Sequence, residues 1–143
     1  MNLSNKFRVA LALLALTVVA AAPAFAWSDR ETAEGQFERT LSVAGPLDLN
    51  VHTNSGSITV VLGSGSQVRI LGKIKVRRDR LGDAQAIVKE IEANPPIEQT
   101  GNTVRIGRTD EQDREWRRNV SISYELVVPK ATRLDSNTGS GSQ

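Results

Sequence analysis

The sequence has no cysteine, a single histidine and few aromatic residues. Without cysteine there can be no disulfide, thiolate metal site, cysteine nucleophile or lipidated bacterial N-terminus. One histidine, His52, excludes paired-histidine metal sites and zinc deaminase chemistry. Aromatics at 4% leave too few rings for a platform that stacks sugars or bases. A basic surplus of the kind that holds nucleic acid is also missing. The formal charge of +2 comes entirely from Lys6 and Arg8, so residues 27–143 are balanced. Beyond residue 26 no apolar run is long enough to span a bilayer.

What is present begins with an export segment. Lys6 and Arg8 precede an apolar run from Val9 to Ala22, Pro23 breaks it, and Ala24-Phe25-Ala26 places small residues at the two cleavage-pocket positions. Fourteen apolar residues fall short of the roughly 20 that span a bilayer, so residues 1–26 read as a signal peptide cleaved after Ala26. Lys6-Phe7-Arg8 is not a twin-arginine pair, which leaves the general secretory route. The expected product is exported, periplasmic or extracellular, with no transmembrane segment after cleavage.

Residues 27–36 are polar and acid-rich and read as a flexible lead-in to a β-rich domain over 37–143. Period-two alternation then recurs. Phe37, Leu41 and Val43 mark an opening strand, weakened by Arg39 on the same face. Leu47, Leu49, Val51 and Thr53 mark the next, followed by Ile58, Val60 and Leu62. Val68, Ile70, Gly72, Ile74 and Val76 form a long row, Val104 and Ile106 a short one, and Val120 through Val128 another long one. One segment changes period: Ala84, Ile87, Val88 and Ile91 follow Asp83, a candidate N-cap, and Asn94-Pro95-Pro96 stops them. The fold class is mainly β, β-solenoid-like or a stacked antiparallel sheet, with one short helix near residues 84–93.

Two Gly/Ser corners resemble each other. Leu49–Ser57 and Leu134–Ser142 share the pattern L-[DN]-x-x-T-x-S-G-S, 85 residues apart. A strand that ends in such a corner and restarts is how a β-solenoid turns, since glycine permits positive φ there. Generic turn chemistry used twice is the alternative. The sequence stops at Gln143 inside the second copy, so the domain is expected to be incomplete.

The export signal, the strand ending Thr53-Asn54-Ser55-Gly56-Ser57-Ile58-Thr59-Val60, the basic alternating strand after it and the helix before Asn94-Pro95-Pro96-Ile97 together resemble a bacterial adhesin family. That family is also called domain of unknown function 4097. The resemblance covers residues 37–143 and implies a β-solenoid-like stack of S-G-S-rich coils. It carries over no catalytic residue and no cofactor.

Several candidate chemistries lose to simpler readings. Gly63-Ser64-Gly65-Ser66 is followed by Gln67 and a strand, not by the lysine and helix of a phosphate loop, and reads as a hairpin turn. His52 with Asp48 and Ser55 lacks a nucleophile elbow, and His52 falls on the polar face of its strand. Asp110, Glu111 and Asp113 could offer oxygens to calcium or imitate a glycosidase pair. Arg108, Arg114, Arg117 and Arg118 compete for them, which favours a solvated charged loop over Thr109–Arg118, with Trp116 pinning it or making a contact. Asn119-Val120-Ser121 fits a glycosylation sequon but overlaps a strand start.

The strongest signal is basic. Val68 to Arg80 holds six cations and one acid, and Arg69, Lys73, Lys75 and Arg77 fall on one strand face. Such a stripe can hold anions, or it can protect a sheet edge from aggregation. In an exported protein the anion would be envelope lipid or polysaccharide rather than nucleic acid. The expected function is non-enzymatic: an adhesin-like or envelope structural module with a basic strand face. The alternatives are an envelope-stress or regulatory module that binds another envelope protein, and a polysaccharide-active β-helix enzyme. No catalytic, metal or cofactor residues are expected.

Overall fold

A computed structural model describes residues 31–107 and 119–142. Eight strands and one helix follow in the order β1 (Glu31–Ser42), β2 (Leu47–Ser55), β3 (Ile58–Leu62), β4 (Gln67–Arg78), α1 (Leu81–Ala93), β5 (Ile97–Thr100), β6 (Thr103–Ile106), β7 (Val120–Val128) and β8 (Thr132–Ser140). They form two four-stranded sheets, ordered β1-β4-β7-β3 and β5-β6-β2-β8. Both sheets are mixed. β1, β4 and β7 run antiparallel, but β3 joins β7 in parallel. β5 and β6 are antiparallel, while β6, β2 and β8 are all parallel. The fold is therefore mainly β with one short helix, and the stacked antiparallel alternative is set aside.

The core lies where the apolar rows meet. Leu47, Leu49 and Val51 of β2, with Val104 and Ile106 of β6, are buried with Val68, Ile70, Ile74 and Val76 of β4 and Ile122, Tyr124 and Leu126 of β7. Each such side chain contributes about 1.5–3 kcal/mol by leaving water, which fixes the faces because a one-residue slip would reverse them. Phe37 of β1 stands opposite Gly72 of β4, whose missing side chain leaves room for the ring. That ring meets Tyr124 edge-on at 6.4 Å.

Three expectations need correction. β1 begins at Glu31, so residues 31–36 are strand rather than loose lead-in. The reason is that Ala33 and Phe37 are buried while Glu34 lies opposite Lys75. The helix starts at Leu81 with Arg80 at its N-cap and no side-chain cap, leaving Asp83 in the first turn, where its charge favours the helix dipole. Gly63–Ser66 is no hairpin, because β7 separates β3 from β4 and the segment crosses between them. Its ends are held by the Gly63 N–H donating to Val128 O and the Val43 N–H donating to Ser66 O.

α1 packs on β1 and β4 through Ala84, Val88 and Ile91. Val88 and Glu92 occupy the space that a side chain at Gly35 would need. Arg39, which had weakened the opening strand as a sequence signal, reaches out of the core row and donates to the carbonyls of Glu38 and Glu92. Among the described residues no helix is long and apolar enough to cross a membrane. Signal cleavage after Ala26, Trp116 and the loop acids Asp110, Glu111 and Asp113 lie outside the described residues.

Candidate functional site

β4 is long enough to carry the basic stripe from one end of its sheet to the other. Val68, Ile70, Ile74 and Val76 are buried and Arg69, Lys73, Lys75 and Arg77 are exposed, so the four cations share the outer face as their alternation requires. The neighbouring strands answer them with carboxylates. Glu34 of β1, the direct Cα partner of Lys75, lies 2.9 Å from its Nζ. Glu38 of β1 and Glu125 of β7 each reach diagonally, to Arg69 and Lys73, at 2.5 Å. Glu38 raises the Arg69 pKa further above its ordinary value, first by the hydrogen bond and then by its charge, so Arg69 stays cationic. Among the described residues Arg77 has no ion pair.

The face is thus a ladder of alternating charge with a small basic excess toward Arg77. All three pairs are exposed, where such contacts contribute about 0–1 kcal/mol each, so an incoming polyanion can exchange with the carboxylates at little cost. Glu34, Lys73, Lys75, Ser121 and Ser123 line a shallow depression of about 530 Å³ on this surface. The sequence indicated the cations but not their partners, because pairing depends on strand register. A clue was available in Glu34 and Glu38, spaced four apart on a strand of matching length.

The other candidates are dispersed. Asp48 and His52 sit four residues apart along β2, about 13 Å at strand rise, too far for a hydrogen bond. His52 Nε2 instead lies 3.4 Å from Asn54 Oδ1, and Ser55 closes the strand with its carbonyl accepting from Ser121 Oγ and Thr53 Oγ1. Gly63–Ser66 helps line a second shallow depression with Val43, Pro129 and Lys130. Among the described residues no three His, Asp or Glu side chains come together as a metal site.

A second surface was only half visible in the sequence. β8 lies beside β2 in parallel, pairing Leu49 with Leu134, Asn50 with Asp135, Thr53 with Thr138 and Ser55 with Ser140. These are the equivalent positions of the two L-[DN]-x-x-T-x-S-G-S copies. The corners also meet: the Gly56 N–H donates to Ser140 O and the Ile58 N–H to Ser142 O. Both glycines take positive φ, 133° at Gly56 and 153° at Gly141. A side chain at Gly141 would strike Gly56 O at 1.9 Å, so the close approach of the corners needs glycine at 141, whereas one at Gly56 would strike Ile122 O of β7 at 2.3 Å.

Comparison with protein-family models, with characterised proteins and with solved structures finds no match to this chain.

Proposed function

We propose that the chain is an exported, non-enzymatic, β-solenoid-like module of the bacterial envelope, adhesin-like or structural, that acts through regular strand surfaces. The observation that carries this reading is the parallel stacking of Leu49–Ser55 on Leu134–Ser140 at the repeat's own offset. Strands stacked in register offer similar chemistry at each rung, about 4.8 Å apart, so affinity accumulates over many weak contacts. The likeness of residues 37–143 to the adhesin family supports the same reading, and the signal features of residues 1–26 support export.

The contact surface in this reading is the face of Arg69, Lys73, Lys75 and Arg77, and its partner is anionic envelope lipid or polysaccharide. Each cation held near an anionic surface contributes about 1 kcal/mol. Liposomes of anionic lipid and lipopolysaccharide test it against a variant with Lys73, Lys75 and Arg77 changed to glutamine. The reading expects weaker binding by the variant and loss of binding in high salt. Equal or salt-insensitive binding would leave the stripe as a solvated sheet face, since β4 lies between β1 and β7 and the edge protection expected of its cations needs an outer strand.

A second reading, a regulatory module that binds another envelope protein, is favoured by the uncharged, outward-facing edge of β3, where Leu62 is 66% exposed.

A further inference from the structure

The four outer strands are finished differently. Natural sheets guard such edges, because unpaired N–H and C=O groups invite another strand. On β1 the Gln36 N–H donates to Glu92 Oε1 of α1 at 3.0 Å. β5 has only four residues and follows Pro95-Pro96. On β3 the Ile58 N–H donates to Ser142 O, so the corner after β8 takes the first rung there. β8 is the long outer strand that remains, with only β2 beside it in its sheet.

The backbone of β8 is divided between its two sides. The Leu47 N–H donates to Ala131 O, and bonding groups alternate along a strand. Ala131, Arg133 and Asp135 therefore bond toward β2, while Thr132 and Leu134 turn their N–H and C=O groups away from it. Leu134 shares the inward row of its partner Leu49, yet it is 43% exposed. Arg133 and Asp135 flank it on the wet face, and both are exposed. Among the described residues neither makes an ion pair.

We infer that β8 pairs antiparallel with β8 of a second copy of this chain, about a two-fold axis at Leu134. In that register the two Leu134 backbones exchange N–H to O bonds, as their outward groups require. The two leucines lie side by side on the inward face and cover the apolar surface that a single copy leaves wet. Arg133 stands opposite Asp135 of the second copy, and the two-fold makes that pair twice. Charge selects the register. Moving the axis back one residue sets Arg133 opposite Arg133, and moving it forward sets Asp135 opposite Asp135. Parallel pairing in register places both like pairs together. Like charges directly opposite are destabilising. Opposite charges placed symmetrically about an outward-bonding leucine make the strand complementary to its own reverse, which is why the occupant is a second copy. The two β5-β6-β2-β8 sheets then join edge to edge. This inference does not depend on the partner of the charged face, which lies on the other sheet.

The test is charge complementation, read by analytical ultracentrifugation of the purified chain across a concentration series. One strand-edge contact is small, so the parent should show a weak, reversible monomer–dimer equilibrium. Arg133→Asp sets Asp opposite Asp135 at both ends of the ladder, and Asp135→Arg sets Arg opposite Arg133. Each variant alone should dimerise at least about tenfold more weakly than the parent. Mixed in equal amounts, the two variants should associate as a heterodimer with the parent's affinity, because every opposed pair is then of opposite sign. A dye on one variant identifies the heterodimer, and circular dichroism checks that both variants are folded. Mixing cannot restore a variant that has merely lost its structure, so recovery reports the register itself. A parent that stays monomeric at every concentration would overturn the inference and leave Arg133 and Asp135 as guards of an open edge. Single variants that dimerise as well as the parent, or a mixture no better than either variant alone, would overturn it too.

Discussion

Leu49 and Leu134 are Cα partners in neighbouring parallel strands and hold the same place in two copies of one motif, yet Leu49 is 0% exposed and Leu134 43%. Their difference comes from position in the stack, since Leu49 has a strand on each side and Leu134 on one. Leu49→Ala should therefore cost about 2–5 kcal/mol, the usual range for a buried leucine, and Leu134→Ala under about 1 kcal/mol. Urea unfolding of the two variants measures both. Similar losses would contradict the difference in burial.

The same pair shows how far the sequence could be read. Strong alternation located β2, β3, β4, β6 and β7, and the 85-residue offset of the motif is the offset of the β2–β8 pairing. β5 escaped because Ile97-Glu98-Gln99-Thr100 has one apolar residue and draws its structure from pairing with β6. The first half of β1 escaped because Glu31, Glu34 and Gln36 look solvated when read alone. Glu34 is held by Lys75, 41 positions away, and no local pattern encodes that register. The charged face was half legible for the same reason. Its cations share one strand, whereas its carboxylates come from two others.

Thr53 is the one buried polar residue among those described, and its Oγ1 lies 2.8 Å from Ile122 O and 3.0 Å from Ser55 O. One hydroxyl proton can serve only one of these carbonyls at a time. Ser121 Oγ also reaches Ser55 O, which makes Ile122 O the acceptor with more to lose. Thr53→Val should destabilise by about 1–3 kcal/mol, the cost of a buried carbonyl left without its donor. Thermal or urea unfolding should show Ser121→Ala, at a partly exposed site, costing less than Thr53→Val.

Gly107 and Gly65 both have positive φ, at 79° and 108°, but only Gly107 is crowded. A side chain there would sit 1.8 Å from His52 O, whereas at Gly65 it meets nothing within 4 Å. Gly65→Ala should carry only the backbone strain, about 1–3 kcal/mol. Gly107→Ala should exceed it clearly, or leave the chain unfolded, because the carbonyl of β2 must also move. Circular dichroism melts of the two variants make the comparison.

Glu34, Glu38 and Glu125 restrain the cations of β4. Changing all three to glutamine should increase binding to anionic vesicles at low salt. The stability change should stay within about 1 kcal/mol per site, as expected for exposed pairs. Salt near 1 M shortens the screening length to about 3 Å and should abolish the gain. Vesicle co-sedimentation across a salt series, with urea unfolding in parallel, measures both effects. A variant that binds no better than the parent would show that the carboxylates do not limit the face.

The in-register stacking of the two motif copies is the central claim, and the absence of cysteine permits a direct measurement. Asn50 and Asp135 are Cα partners on the wet face of β2 and β8, while Arg133, two residues earlier on the same face, is the partner of Asp48. Parallel neighbours stand about 4.8 Å apart, within the span a disulfide accepts, and a two-residue offset lengthens that distance beyond easy reach. Under mild oxidation Asn50→Cys/Asp135→Cys should form an intramolecular disulfide readily, seen by mass after alkylation, and Asn50→Cys/Arg133→Cys should form it poorly. Preferential cross-linking of the second pair, or of neither, would contradict the register on which the account stands.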